Sequence, residues 1–266
     1  MANKGYLVDT SKCIGCRGCV VACKQWNQLP AEKTRFQGTY QTVPDLTGNT
    51  LTMISFHEYE ENGKMEWYFT KRQCMHCLEP ACMKVCPQKA ISVNENGAVV
   101  RDYDKCIGCQ YCAAACPFNV PRYNKETDKE TKCSLCTERT AEGELPACVK
   151  ACITGALQYG DRDELLGVAK KRVGELRAEY PKANVYGEKE AGGTNILYVL
   201  ADEPEKYGFE SDPKVSTAIY AWQDIIKPYF PWLIALTGAV SVFSFFSTRL
   251  LGVGKEEAHE GESIDG

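Results

Sequence analysis

The 266-residue sequence has little with which to carry out bond-making chemistry of its own. It shows no activated nucleophile, no phosphate-cradling glycine loop and no organic-cofactor fingerprint, so no catalytic site is expected within the chain. Histidine is scarce, and two of the three, His57 and His259, have no ligand-like neighbour in the sequence. An excess of basic charge is missing as well. The 31 Lys and Arg are outnumbered by 35 Asp and Glu, which gives a formal net charge of −4 and no global positive field to hold nucleic acid. No apolar stretch of secretory-signal type precedes Cys13, and no cysteine follows Cys152.

What is abundant is cysteine. All sixteen lie between Cys13 and Cys152, in four groups whose spacing repeats closely enough to indicate internal duplication. Cys13, Cys16, Cys19 and Cys23 form the first, in CIGCRGCVVAC. The second, CMHCLEPACMKVCP, holds Cys74, Cys77, Cys82 and Cys86, with two extra residues before its third cysteine. Cys106, Cys109, Cys112 and Cys116 make the third, CIGCQYCAAACP, which has the bacterial ferredoxin spacing ending in Cys-Pro. In the fourth, Cys133, Cys136, Cys148 and Cys152, an insertion displaces the third cysteine.

A cubane needs one thiolate for each iron, so four quartets match four [4Fe-4S] clusters with no cysteine left over. In two-cluster ferredoxins the first three cysteines of a motif serve one cluster and the fourth serves its neighbour, so ligands are exchanged between paired motifs. Gly15, Gly18 and Gly108 let the backbone curl around an anion and point N–H groups at its sulfurs. Proline follows the fourth cysteine at Pro87 and Pro117, but Lys24 and Ile153 stand there in the first and fourth groups. Paired CxxC elements can also make four-cysteine zinc sites, and an even cysteine count suits a disulfide scaffold. Those scaffolds are usually much shorter, and the four-residue step to the last cysteine is untypical of zinc ribbons. His76, between Cys74 and Cys77, is expected to pack or hydrogen-bond, because its quartet is complete without it.

Around the quartets the chain reads as α+β. The strand-like runs LTMISFHEY and MEWYFTK, joined by Glu61-Asn62-Gly63, predict a hairpin inserted into a ferredoxin-like body. Trp67, Tyr68, Tyr111 and Phe118 are expected to pack around clusters and hairpin, and the charged run Lys125 to Lys132 to be a solvated loop. Short strands are predicted at 90–93 and 153–160, a surface helix from about Asp163 to Tyr180, a strand at 195–200 and an acidic linker from Ala201 to Pro213. Residues 228–248 carry no charge, and as a helix they would span roughly 31 Å, about the thickness of a bilayer's hydrocarbon core. Tyr229 and Trp232 suit its interface, while Pro228 and Pro231 fall in the first turn, where a missing N–H matters little. The predicted organisation is a four-cluster region at 1–160, a helix, strand and linker at 161–215, a transmembrane helix with flanks at 216–254 and a polar tail at 255–266.

The segments CIGCRGCVVACKQWN, GKMEWYFTKRQCMHCLEPACMKVCP, CIGCQYCAAACPFNVPR, KCSLCTERTAEGELPACVKACITGAL and GGTNILYVL, with the terminal apolar run, together resemble the iron–sulfur (beta) subunits of membrane-bound respiratory formate dehydrogenases. These belong to the wider four-cluster subunits of molybdopterin oxidoreductases. The resemblance implies duplicated bacterial ferredoxin-like domains plus one C-terminal transmembrane helix. It implies a non-catalytic relay from a molybdenum or tungsten (alpha) subunit, where formate is oxidised, to a membrane cytochrome b (gamma) subunit and quinone. It pairs the first motif with the fourth and the second with the third. Cys13, Cys16, Cys19 and Cys152 would hold one cluster, and Cys133, Cys136, Cys148 and Cys23 its neighbour. Cys74, Cys77, Cys82 and Cys116 would hold the third cluster, and Cys106, Cys109, Cys112 and Cys86 the fourth. The clusters would be periplasmic and the tail cytoplasmic. Two alternatives stay open: the equivalent subunit of a dimethyl sulfoxide, polysulfide, thiosulfate or nitrate-type reductase, and a zinc-binding interaction module on a membrane tether.

Overall fold

Strand β1 (Lys4–Asp9) is apolar on both faces, and its surroundings explain why. In the computed structural model, which describes residues 3–36, 38–61, 63–216, 218 and 221–250, it lies inside a four-stranded sheet. The next elements in order are α1 (Gly18–Trp26), the antiparallel pair β2 (Met53–Glu61) and β3 (Lys64–Arg72), and α2 (Ala81–Lys84). They are followed by the pair β4 (Ile91–Val93) and β5 (Val99–Arg101), α3 (Tyr111–Ala114), the pair β6 (Arg122–Asn124) and β7 (Lys129–Thr131), α4 (Thr137–Ala141) and α5 (Ala147–Lys150). Then come β8 (Leu157–Asp161), α6 (Arg162–Leu176), β9 (Asn184–Tyr186) and β10 (Ile196–Leu200).

The four-stranded sheet has the order β8-β1-β10-β9, with β1 and β10 parallel and both outer strands antiparallel to their neighbours. Side chains of a strand alternate between faces, and both faces are covered here. Tyr6, Val8, Ile196, Tyr198 and Leu200 point into the cluster-motif body, where Cys19 and Cys148 share their core. Leu7, Leu197 and Val199 point the other way, onto Leu165, Ala169, Val173 and Leu176 of α6. That helix starts on Asp161, whose side chain accepts from the Asp163 amide at 3.1 Å, and Asp163 and Glu164 complement the positive end of its dipole. Leu197 has no exposed surface in this seam. Leu197→Ala should cost about 2–5 kcal/mol, to be read as a lowered denaturation midpoint of the holoprotein.

The sheet draws together residues 1–160 and 161–215, which the sequence presents as successive regions. The chain forms one compact unit over 1–216 and a second over 217–266. The stretch Ala201–Pro213, expected as a linker, folds onto the first unit through a 3₁₀ turn at Pro204–Tyr207. Tyr207 is 2% exposed, with its ring 4.9 Å from that of Tyr68, and Phe209 stacks on Tyr186 at 4.7 Å. Two aromatic anchors outweigh the polar composition that suggested a linker. On β2, His57 is half-buried beside Gly208 of this stretch, and burial together with the Arg72 cation holds its imidazole below the ordinary histidine range. The fold thus favours neutral His57, and below about pH 6.5 the unfolded chain takes up the proton first, so stability falls as pH falls. Partial exposure screens the effect to at most about 2–4 °C in the thermal midpoint; His57→Gln should remove that part of the pH dependence.

A second correction falls on the run Lys125 to Lys132. Its first residues are exposed, but the β6–β7 pairing turns Glu130 and Lys132 inward, to 1% and 4% exposure. In the second unit a 24-residue helix α7 (Lys227–Leu250) follows a π-type turn at Ala221–Ile226. Pro228 lies in its first turn and Pro231 inside the helix. By length and apolar composition α7 is sufficient to cross a membrane. The expected tail at 255–266, His259 within it, and Asn62 of the β2–β3 turn lie outside the described residues.

Candidate functional site

Each cysteine quartet is built on the same backbone plan. The residue two places after the first cysteine adopts a left-handed conformation in all four: Gly15 and Gly108 at φ +66°, His76 at +46° and Leu135 at +60°. Glycine takes this conformation without strain, and at Gly108 it is also required by space, since a Cβ there would meet the Asp128 carbonyl oxygen at 2.5 Å. His76 occupies the same turn fully buried, accepting the Val99 amide on Nδ1 at 2.9 Å. Burial, then the nearby Lys132 and Lys71 cations, hold its imidazole well below the usual range, so it is a neutral packing and hydrogen-bonding residue.

The third cysteine of each quartet then enters a short helix: Cys19 in α1, Cys82 in α2, Cys112 in α3 and Cys148 in α5. The fourth follows one turn later. Where Pro87 or Pro117 comes next the helix has four residues, and α5, followed by Ile153 instead, has four as well, whereas α1 runs nine residues to Trp26. Helix α1 packs against α5 and α2 against α3, so the first motif meets the fourth and the second meets the third.

That packing brings cysteines from different quartets around shared voids. Cys13, Cys16, Cys19 and Cys152 line one cavity, and Cys23, Cys133, Cys136 and Cys148 line another. A third is lined by Cys86, Cys106, Cys109 and Cys112. Among the remaining four, Cys77 lies close enough to Cys74, Cys116 and Cys82 to feel their charge. The four sets also touch in series. Cys19 and Cys148 share one apolar core, Cys74 packs with Cys133 and Cys116 in another, and Cys82 packs with Cys112 in a further one. Only Cys16 and Cys109 are exposed, one in each outermost set. Exposed apolar side chains surround both, Ile14 and Ile153 at one end and Ile107 and Tyr111 at the other. Tyr111 and Trp67 are thus surface residues, Trp67 with its ring 5.1 Å from that of Tyr40, while Tyr68 and Phe118 pack as expected.

The donor chemistry fits iron–sulfur cubanes. All sixteen thiols are free, so no disulfide consumes them. Among the described residues no three His, Cys, Asp or Glu side chains converge on a point one ion could occupy, as a zinc site built from four thiolates requires. Burial pushes the Cys19 and Cys23 thiols up to about 12, and burial with the Cys74 sulfur does the same to Cys82. Thiolates at these positions therefore depend on strongly cationic partners, which iron supplies. Hydrogen bonds to sulfur are in place from Tyr6 Oη to Cys148 at 3.3 Å, Arg101 Nη2 to Cys112 at 3.3 Å, the Leu135 amide to Cys133 at 3.3 Å and Asn27 Nδ2 to Cys23 at 3.5 Å. Such donors tune cluster potential. Tyr6 and Arg101 are not evident in the sequence because each lies outside a motif and reaches a sulfur only through tertiary packing, whereas Asn27 reaches Cys23 one turn back along α1.

Two family models, both described as a 4Fe-4S dicluster domain, match residues 12–90 and 65–162. The chain is 42% identical over 269 residues to the iron–sulfur subunit of the nitrate-inducible formate dehydrogenase of Escherichia coli K12, covering 99% of this chain and 90% of that one. It is 43% identical to the formate dehydrogenase iron–sulfur subunit of Haemophilus influenzae, over 84% of this chain and 73% of that one. Subunit beta of formate dehydrogenase 2 (cytochrome c-553) of Nitratidesulfovibrio vulgaris is 38% identical, over 77% of this chain and 96% of that subunit. Dicluster domains and sixteen clustered cysteines give four [4Fe-4S] clusters as cofactors, in a subunit that transfers electrons and has no catalytic site of its own. The chain belongs to the family of formate dehydrogenase iron–sulfur subunits.

Proposed function

We propose that this subunit carries electrons from a molybdenum- or tungsten-containing formate-oxidising subunit to a membrane cytochrome b and quinone. The observation that carries the reading is the composition of the cavities: three cysteines of one quartet with the fourth of its partner quartet, in three separate voids. On this basis the cluster ligands are Cys13, Cys16, Cys19 and Cys152; Cys133, Cys136, Cys148 and Cys23; Cys74, Cys77, Cys82 and Cys116; and Cys106, Cys109, Cys112 and Cys86. When bound, each cluster accepts and releases one electron at a time. The protein's part is to fix the spacing of the four sites, exclude water from the inner two and hold the sulfur-directed hydrogen bonds. The exposed Cys16 and Cys109 ends, each with its apolar surround, serve as the two docking mouths for redox partners.

The finer architecture belongs to the same reading: a duplicated ferredoxin-like body, with the β2–β3 hairpin as an insertion between the first two motifs. Helix α7 spans the bilayer, with the clusters periplasmic and the tail cytoplasmic. Purifying the complex from membranes and assaying it with formate tests the proposal. Formate-dependent bleaching of the brown cluster absorbance, with about sixteen irons per chain, is the expected result. Reduction by another donor couple and none by formate would assign the chain to a different molybdopterin reductase. For sidedness, protease should reach the cluster unit in spheroplasts and the tail in inverted vesicles; the reverse pattern would invert the orientation.

A further inference from the structure

Lys71 is the one residue, among those described, that lines both the Cys13/Cys16/Cys19/Cys152 cavity and the Cys23/Cys133/Cys136/Cys148 cavity. It sits near the end of β3, paired across the strand with Ile54, and strand alternation puts it on the same face as Phe69, which abuts Gly15 in the first motif. Its carbonyl accepts the Tyr198 hydroxyl at 2.6 Å, which ties this point of the hairpin to the central sheet. The side chain is 1% exposed. Its Nζ donates to Thr52 Oγ1 at 2.7 Å and to Gln73 Oε1, and lies 5.4 Å from the centre of the Tyr6 ring.

Every one of these partners is neutral. Among the described residues no carboxylate pairs with Lys71, although other amines of the chain, such as Lys206 and Lys182, have carboxylate partners. A fully buried ammonium is stable only where negative charge compensates it. The remaining sources of negative charge are the cysteine sulfurs of the two cavities, and these more than offset the burial that opposes its charge.

We propose that Lys71 is a fixed cation shared by two adjacent clusters, raising the reduction potentials of both above what their ligands alone would set. The inference rests on the cluster assignment above. An electron arriving in either cavity adds one negative charge beside Nζ, and the ammonium favours that reduced state in both cavities together. Two neighbouring steps of the relay would then be tuned by one residue that ligates neither cluster.

The test is an EPR-monitored redox titration of the purified holocomplex carrying Lys71→Met, Lys71→Gln or Lys71→Arg, after iron and acid-labile sulfide have been measured. With all four clusters present, Met and Gln should lower two of the four midpoints and leave the other two unchanged. We expect at least about a tenfold change in each reduction equilibrium, or roughly 59 mV for a one-electron couple. Lys71→Arg, which keeps the charge, should hold both midpoints near wild type. Loss of clusters in Met and Gln that Arg restores would also support a charge role. Unchanged midpoints, an equal fall in all four, or the same cluster loss in all three variants would overturn it in favour of packing. Wild-type protein lacking four clusters would instead overturn the ligand assignment on which the inference stands.

Discussion

In Cys23→Ala, the cluster expected to disappear is the one in the cavity of Cys133, Cys136 and Cys148, more than a hundred residues away, while the one beside Cys13, Cys16 and Cys19 stays. Cys23 leaves its own motif because α1 carries it one turn beyond Cys19, onto the side where α5 packs. There it lines the void with Cys133, Cys136 and Cys148. Removing the thiolate leaves one iron without its sulfur ligand, and the other side chains lining the site, among them Tyr6, Thr52, Ser134, Leu51 and Pro146, include no further thiol to replace it. Iron per chain should fall by about a quarter, and one EPR component should vanish. Because this set stands second in the series of four, formate-to-quinone turnover should fall far more than formate-to-dye turnover at the catalytic subunit. Loss of the local cluster with the distant one intact would refute the exchanged pairing. Cys152→Ala makes the reciprocal case, emptying the cavity of Cys13, Cys16 and Cys19.

Deleting residues 217–266 should move the chain, expressed without partner subunits, from the membrane fraction to the soluble one with all four clusters retained. The unit over 1–216 holds every cysteine and both faces of the central sheet, so nothing needed for cluster binding is lost. Exposed along α7 are Trp232, Leu233, Ile234, Leu236, Val240, Val242, Phe243, Phe245 and Phe246, and none of its residues is buried within the unit. A helix so apolar on every side needs hydrocarbon or another protein around it. A single Val240→Arg near its middle should cost about 2.5–3.5 kcal/mol of insertion, on the order of a hundredfold in partitioning. A truncated chain that still pellets with washed membranes would show that the cluster unit itself carries the attachment.

The cofactor class was legible in the sequence because thiolate ligation is a local demand. Each cubane draws most of its thiolates from one motif, so the repeated cysteine spacing reveals the motifs even where an insertion displaces Cys148, and the left-handed residue at Gly15, His76, Gly108 and Leu135 repeats as the cysteines do. Strands such as β4, β8 and β10, the long helix α6 and the membrane-length helix α7 were equally readable, since each buries a periodic apolar pattern. Reading failed where composition and position disagree. The 201–213 stretch looks like a linker, yet Tyr207 and Phe209 anchor it. Glu130 and Lys132 look like surface charges, yet the β6–β7 turn directs them inward.

By itself, then, the sequence determined how many cysteine motifs exist and which chemistry they suit, together with the one segment able to enter a bilayer, because these depend on neighbours close in the chain. The tertiary structure shows which cysteine of a partner motif lines each of three cavities, and in what series the cysteine sets touch. It also decided that a lysine from a hairpin strand stands between two of them. Those relations connect residues tens to more than a hundred positions apart, and they are set by helix packing and by the two covered faces of the sheet, which leave no periodic trace along the chain.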